Sequence, residues 1–330
     1  MEFRSVHQLN ADIATWSESL PRDVDLVVGI PRSGMLAATM LALHLHLPLA
    51  DLDGLLAGRV LGGGRRMEGA APEDVVATAR RILVVDDSTN RGGAMKEAQA
   101  RVAAEPSLAG RVVWGAPYVA PGAAEGLVDH WYEKVPQPRA FEWNILHHSG
   151  LVDACMDIDG VLCRDPLDDE NDDGPAYTGF LRDVPPRLVP ASEVGWLVTS
   201  RLERYRPETE EWLARHGIRY RELVMHAATS AEQRRRERSH ATHKAAVYTR
   251  TRAWLFIESD LDQAVEIADA AKRPVYCTGT RTMVYPGVPV GAPPRARDTV
   301  LWRLRERARM QRKRVGHWRR RLRRAVPAAR

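Results

Sequence analysis

The sequence predicts an α/β fold of two domains, and three observations carry that expectation. Apolar runs of strand length alternate with helix-period segments through most of the chain. Two of those runs end in acid pairs followed by glycine: Ile82-Leu-Val-Val-Asp86-Asp87-Ser-Thr-Asn-Arg-Gly92-Gly93-Ala94 and Cys155-Met-Asp157-Ile-Asp159-Gly160-Val161-Leu162. The length, 330 residues, is about twice that of a typical domain.

In chain order, residues 7–20 carry a weakly amphipathic helical pattern. Asp25–Ile30 is a short apolar strand, and Pro31-Arg32-Ser33-Gly34 is a turn opening a helix over Met35–Leu47. The apolar stretch Met35–Leu49 contains His44 and His46; it is too short and too polar to span a bilayer, so a buried helix is expected. Residues 54–72 are rich in Gly and Arg without period and read as a mobile loop. Arg81–Val85 is another buried strand, followed by a helix over Ala94–Ala103 and a strand over Val112–Val119. This alternation implies an open, mostly parallel sheet with ligands at the carboxyl ends of its strands. Pro136-Gln-Pro138 breaks the chain, and Phe141–His148 leads into a second alternating region. Its strands are Ala154–Ile158, Gly195–Thr199 and Trp254–Ile257, with helices at 205–216, 231–246 and 261–271. The expected divisions are 1–148, 149–294 and a tail over 295–330.

With 44% hydrophobic and 28% charged residues, packed globular domains are expected. Three scattered cysteines (Cys155, Cys163, Cys277) are too few for a disulfide framework or a zinc site and read as buried thiols. Met1-Glu-Phe-Arg-Ser-Val-His lacks the apolar core of a signal peptide, so a cytoplasmic location is expected. The net charge of +5 is unevenly placed. Residues 301–324 hold twelve Lys/Arg against Glu306, a charge of +11 that leaves the rest of the chain at −6. Leu301, Leu304, Ala308, Val315, Trp318 and Leu322 recur at helical spacing within that segment, although Gly316 interrupts it. A basic amphipathic helix of this kind favours an anionic membrane surface at the inner face of the cell membrane. Nucleic acid rewards the same charge and ranks below it; a plain solvated tail is the remaining alternative.

The first acid pair suits a phosphorylated ribose. Vicinal hydroxyls need two acceptors side by side, which Asp86 and Asp87 supply at a strand end. A phosphate needs backbone N–H donors and small residues, which Gly92 and Gly93 provide at a helix start. Arg32, Ser33 and Gly34 offer a second N–H-rich turn with a cation. These residues resemble the type I phosphoribosyltransferases. That resemblance implies phosphoribosyl pyrophosphate as donor, Asp86 and Asp87 on the ribose, and Ser88, Thr89, Asn90, Arg91, Gly92, Gly93 and Ala94 on the 5-phosphate. It also implies Gly29–Gly34 on the pyrophosphate, with Mg2+, and a closing loop over 54–68 that carries Arg59, Arg65 and Arg66. Asn90, Arg91 and Ala94 stand where that family usually has hydroxyl residues. Asp51 and Asp53, before the loop, are read as solvated acids rather than as the base for the transfer step.

The second signature, a strand ending in Asp-x-Asp-Gly, suits a carboxylate nucleophile with a second carboxylate as acid/base. Together with Trp196-Leu-Val-Thr199-Ser200-Arg201, Lys244 and Leu255-Phe-Ile-Glu258-Ser-Asp260 it resembles the haloacid dehalogenase phosphatases. The resemblance implies a Rossmann-like domain. Asp157 would be nucleophile, Asp159 acid/base, Thr199 and Lys244 phosphoryl-holding and charge-balancing residues. Mg2+ would sit among Asp157, Asp159, Glu258 and Asp260, with Glu258 or Asp260 as the direct ligand. About 35 residues between Leu162 and Thr199 leave no room for a large cap. The acidic run 168–173 is read as a solvated loop, and His147 and His148 as packing residues.

Over residues 1–290 the order of the two modules around Phe-Glu-Trp-Asn (141–144) resembles the dual-domain ribofuranosyltransferases of bacterial polysaccharide assembly. The implied reaction moves 5-phosphoribose onto a glycan hydroxyl, on an acceptor expected to be lipid-linked, and then removes the 5-phosphate. A nucleobase phosphoribosyltransferase coupled to a nucleotidase ranks second. A regulator that senses phosphoribosyl pyrophosphate and binds nucleic acid ranks third, because both catalytic sets are intact in the sequence.

Overall fold

The computed structural model describes residues 1–62, 72–122, 126–230, 232–233 and 239–290. The first part runs β1 (Glu2–Arg4), α1 (Val6–Ser19), β2 (Leu26–Gly29), α2 (Ser33–Leu45), β3 (Leu49–Asp51), α3 (Leu52–Leu56), α4 (Pro72–Thr78), β4 (Ile82–Val85), β5 (Ser88–Thr89), α5 (Gly93–Ala103), β6 (Val112–Val119), β7 (His130–Lys134) and β8 (Arg139–Phe141). The second runs β9 (Ala154–Met156), α6 (Pro175–Asp183), β10 (Val194–Leu202), α7 (Arg206–Arg215), β11 (Tyr220–His226), α8 (Ser239–Arg250), β12 (Leu255–Glu258), α9 (Leu261–Ala271), β13 (Val275–Cys277) and β14 (Thr282–Val284).

Two main sheets result. The first has the order β3-β2-β4-β6-β5, with β7 also on β6, and every pairing is parallel. The second has the order β11-β10-β9-β12-β13-β14, parallel except for the last pair. The strands β2, β4 and β12 are buried at every position. Parallel strands covered on both faces read as unbroken apolar runs, which is why these were legible. Leu9, Ile13 and Trp16 form the buried stripe of α1, at spacings of four and three. Ser5 caps that helix by accepting from the Gln8 N–H at 3.1 Å.

A small parallel pair, β1 with β8, lies apart from both sheets. Ala140 and Ile145 are buried in the same cluster as Leu151, Ile257 and Met283, so the residues before position 149 contribute to the second core.

Several elements differ from expectation. The Gly/Arg-rich stretch begins with a short helix, α3, capped by Asp51, which accepts from the Gly54 N–H at 2.6 Å. Residues 63–71 of that stretch, with Arg65 and Arg66, fall outside the described residues, as does the tail over 301–324. The helix Met35–Leu47 appears as α2, buried along Ala37, Ala38, Leu41 and Ala42 but leaving Leu43 77% exposed, so it is half-buried rather than enclosed. α6 occupies part of the segment between Leu162 and Thr199, for which the sequence reading names no helix. The Asp172 carboxylate caps it, accepting from the Gly174 and Tyr177 N–H groups at 2.8 and 2.9 Å. The acidic run is therefore partly structural: Asp173 pairs with Arg204, and Glu170 with Arg164.

Candidate active sites

The first site stands at the carboxyl ends of β2 and β4. The turn after β2 packs directly on the acids that follow β4. A Cβ on Gly34 would lie 2.7 Å from the Val85 carbonyl and 3.1 Å from the Asp86 Cα, so only glycine allows this approach. Ser33 Oγ donates to Asp87 Oδ1 at 2.7 Å, which ties the turn to the acid pair. Asp87 Oδ2 accepts from the indole N–H of Trp143, also at 2.7 Å. Asp86 Oδ1 accepts the Asp87 N–H at 2.9 Å. Burial, and then the Asp87 carboxylate beside it, raise the Asp86 carboxyl to about 8. Gly34→Ala is expected to cost about 1–3 kcal/mol of stability, which urea unfolding checks.

Asp86 and Ser88 through Ala94 line a cavity of about 270 Å³ at the start of α5. Asn90, Arg91, Gly93 and Ala94 are exposed on its rim, whereas Thr89 is buried in its wall. Arg32 is exposed at the neighbouring turn, following a cis Pro31–Arg32 peptide. Asp53 pairs with Arg101 on the surface, and Asp51 is committed to its helix cap. Two residues to which the sequence motifs give no part in this site belong to it. Trp143, stacked on Phe141 at 4.9 Å, reaches Asp87 from the junction, and Arg139 donates to the Thr89 carbonyl at 2.9 Å.

The second site stands at the carboxyl ends of β9, β10 and β12. Lys244 is 2% exposed and donates to Asp157 Oδ2 at 2.6 Å, Glu258 Oε2 at 2.7 Å and Gln263 Oε1 at 3.0 Å. Burial works to lower the lysine's pKa, but the two carboxylates outweigh it and the group stays charged, with its pKa above the ordinary lysine value. Burial holds the Asp157 carboxyl well above its usual range against the opposing pull of Lys244. Gly160 turns the chain with φ 76°; a Cβ there would lie 2.0 Å from Ser259 Oγ. Thr199 is fully buried, and its Oγ1 accepts from the Arg201 N–H at 3.2 Å.

Asp159 is held differently. Arg201, fully buried, grips it through Nη2 at 2.6 Å and Nε at 3.1 Å. This arginine ends the segment Trp196-Leu-Val-Thr199-Ser200-Arg201, and the resemblance carried by that segment implies no role for it. Asp260 was expected among the metal ligands, but it is exposed and caps α9 instead, accepting from the Gln263 N–H at 2.8 Å. Of the two acids, Glu258 is the one sharing Lys244 with Asp157. Among the described residues no group of three or more His, Cys, Asp or Glu is arranged to hold a metal ion. Lys244 stands between Asp157 and Glu258, Arg201 holds Asp159, and Asp260 caps a helix. Asp165 is a further carboxylate here, raised by partial burial and then by Asp159 and Glu258. His148 accepts from the Gly150 N–H at 2.9 Å and meets Trp254 edge-on, so it packs the junction. Among the described residues no helix is long and apolar enough to cross a membrane.

No protein-family model and no curated protein matches the chain. Solved structures similar to part of it include a purine phosphoribosyltransferase from Pyrococcus horikoshii Ot3, 19% identical, with a TM-score of 0.30 over 43% of this chain and 93% of that one. A xanthine-guanine-hypoxanthine phosphoribosyltransferase of Helicobacter pylori is 16% identical, with a TM-score of 0.32 over 44% and 93%. A hypothetical protein from Neisseria gonorrhoeae with bound ppGpp is 17% identical, with a TM-score of 0.31 over 43% and 89%. Likeness this distant determines neither substrate nor reaction.

Proposed function

We propose that residues 1–148 transfer 5-phosphoribose from phosphoribosyl pyrophosphate to a glycan hydroxyl, and that residues 149–294 then hydrolyse the 5-phosphate to leave ribofuranose. The observation that carries this reading is the pairing of two unlike centres in one chain. A ribose-sized acid pair sits beside an anion cradle, and a separate buried carboxylate–lysine centre suits a phosphomonoesterase. An enzyme that kept its nucleotide phosphate would be undone by the second centre. Residues 301–324 are read as resting on an anionic membrane surface, beside a lipid-linked acceptor, at the cytoplasmic face.

In the transfer step Asp86 and Asp87 accept from the ribose diol and Ser88–Ala94 hold the 5-phosphate. Arg32, Ser33 and Gly34 hold the departing diphosphate. The C1–O bond to pyrophosphate breaks, the acceptor hydroxyl oxygen bonds to C1 and gives up its proton to solvent, and positioning with charge stabilisation lowers the barrier. In the hydrolytic step an Asp157 oxygen attacks phosphorus, the P–O bond to the ribose C5 oxygen breaks, and Asp159 gives that oxygen its proton. Water then attacks the aspartyl phosphate while Asp159 takes a proton, which restores both carboxyl groups. Asp159 must loosen its grip on Arg201 to do so. Lys244, at 2.6 Å, opposes the burial that raises the Asp157 carboxyl and so favours its charged form for attack, and Thr199 positions the phosphoryl group.

Mg2+ is read for both steps. At the second centre Asp157 and Glu258 offer the carboxylate oxygens that a hard cation takes, and Lys244 bridges them in this structure. Asp157 and Glu258 would hold the ion, which when bound neutralises charge on phosphoryl oxygens.

Nucleobase transfer is the second reading, and one observation favours it: Trp143 is an aromatic ring set against Asp87. A single assay separates the two. Asp157→Asn, given phosphoribosyl pyrophosphate, Mg2+ and either glycans or nucleobases, is expected to lose phosphate release by roughly a thousandfold or more. It should accumulate a phosphorylated ribosyl-glycan, which the unaltered protein converts to the dephosphorylated form. A nucleotide accumulating while glycans stay untouched would transfer the assignment to the second reading.

A further inference from the structure

Two side chains behind the first site have polar groups that their described neighbours leave short of partners. Arg139 is 6% exposed. Its Nη2 donates to the Thr89 carbonyl at 2.9 Å and its Nη1 to the Val135 carbonyl at 3.4 Å, with Phe141 beneath the guanidinium at 5.3 Å. Among the described residues no carboxylate lies within ion-pair distance of it. The acid that most affects it, Asp87, already accepts from Ser33 and Trp143. Arg201 is a useful contrast, because its buried charge is matched by a bidentate Asp159. A buried cation held only by carbonyls is costly unless an anion completes it.

The second group is the Thr89 hydroxyl. Thr89 is 3% exposed, lines the 270 Å³ cavity, and its Oγ1 has no hydrogen-bond partner among the described residues. Orphaned buried hydroxyls are rare and call for an explanation. Both groups meet at one peptide, since Arg139 donates to the carbonyl of the residue whose side chain is unsatisfied.

We propose that the Thr89 hydroxyl faces an anion subsite in this cavity and that Arg139, bonded to the Thr89 carbonyl, supplies its counter-charge from behind the loop. The ligand class is a phosphate monoester dianion on a sugar. This rests on the reading of Ser88–Ala94 as a phosphate loop and extends it to a residue 50 positions away, on β8. Arg139 would decide charge selectivity: a dianionic sugar phosphate gains from it and a neutral sugar does not.

Calorimetric titration of the full chain, carrying Asp157→Asn so that the second centre does not hydrolyse the probe, with ribose 5-phosphate and with ribose, each with Mg2+, tests the proposal. Arg139→Met is expected to weaken ribose 5-phosphate at least about tenfold, Arg139→Lys by no more than about threefold, and Thr89→Val by about fivefold, with ribose unaffected. Ligand-free Arg139→Met is expected to unfold at the same urea concentration as the unaltered protein, or higher, because an unmatched buried charge has been removed. Unchanged affinity in Arg139→Met overturns the proposal. So does a Lys variant as impaired as the Met variant, which would mean that shape rather than charge matters. If Arg139→Met does not fold, Thr89→Val decides by itself, and unchanged affinity there is fatal. Failure of the Asp157→Asn parent to bind ribose 5-phosphate would instead bring down the phosphate-loop reading beneath it.

Discussion

Lys244→Met is expected to abolish phosphate release and to destabilise the fold by about 3–5 kcal/mol, the scale of breaking a buried ion cluster from one side. Lys244 is the cation shared by Asp157 and Glu258, at 2.6 and 2.7 Å. Without it both carboxylates stay buried, Asp157 keeping the Ile158 N–H and Glu258 the Ser259 N–H, each at 2.8 Å, with longer contacts to Glu258 from Ser259 Oγ and the Asp260 N–H. Protonating a carboxylate relieves that repulsion, so the deficit should be smaller at pH 5 than at pH 8. In the unaltered protein Lys244 works in the opposite sense: its contribution is complete below the ordinary lysine pKa and fades only above it. Urea unfolding at both pH values measures this. A deficit below about 1 kcal/mol, or one independent of pH, would show that the cluster is not held by charge.

Asp86→Asn is expected to lower the efficiency of ribosyl transfer about a hundredfold while making the free protein sturdier at high pH. The Asp86 carboxyl is raised to about 8 by burial and by Asp87, whereas an unfolded chain releases that proton near the ordinary aspartate value of 3.8. The folded state therefore binds the proton more tightly, and its stability falls as pH rises from about 4 to about 8. Asparagine carries no such penalty and can still accept the Asp87 N–H. Thermal unfolding should shift upward by roughly 5 °C at pH 8 and hardly at all at pH 4. A shift equal at both pH values would refute the titration argument. Transfer that survives the substitution would remove Asp86 from the ribose site.

The parts of the fold legible in the sequence were those with a period or an unbroken apolar run. Helices α1, α5, α7 and α9 announced themselves by spacing, and β2, β4 and β12 by being enclosed on both faces. The three-residue strands β8, β13 and β14 and the two-residue β5 are too short to show alternation. The helix α6 was hidden because its cap, Asp172, sits in a run of acids that looks solvated. At the sites, acids and glycines were legible from their position after strands. Arg139, Arg201 and Trp143 were not, because burial leaves no mark on an isolated arginine or tryptophan. Arg201 finds Asp159 from 42 positions away, and Trp143 finds Asp87 from 56. Only folding reveals such partners.

The pairing of β1 with β8 has a practical corollary for anyone wishing to handle the two chemistries separately. Phe3 lies 5.6 Å from Tyr276, the Tyr285 hydroxyl donates to the Met1 carbonyl at 3.4 Å, and Ala140 and Ile145 sit inside the hydrophobic cluster of the later residues. Severing the gene at the 148/149 boundary would strip those apolar plugs from the downstream fragment and leave both pieces with raw, sticky seams. The fragments would have to be co-expressed and left to find each other, in the manner of a split reporter. A clean biochemical dissection is better made with single-residue knockouts than with scissors.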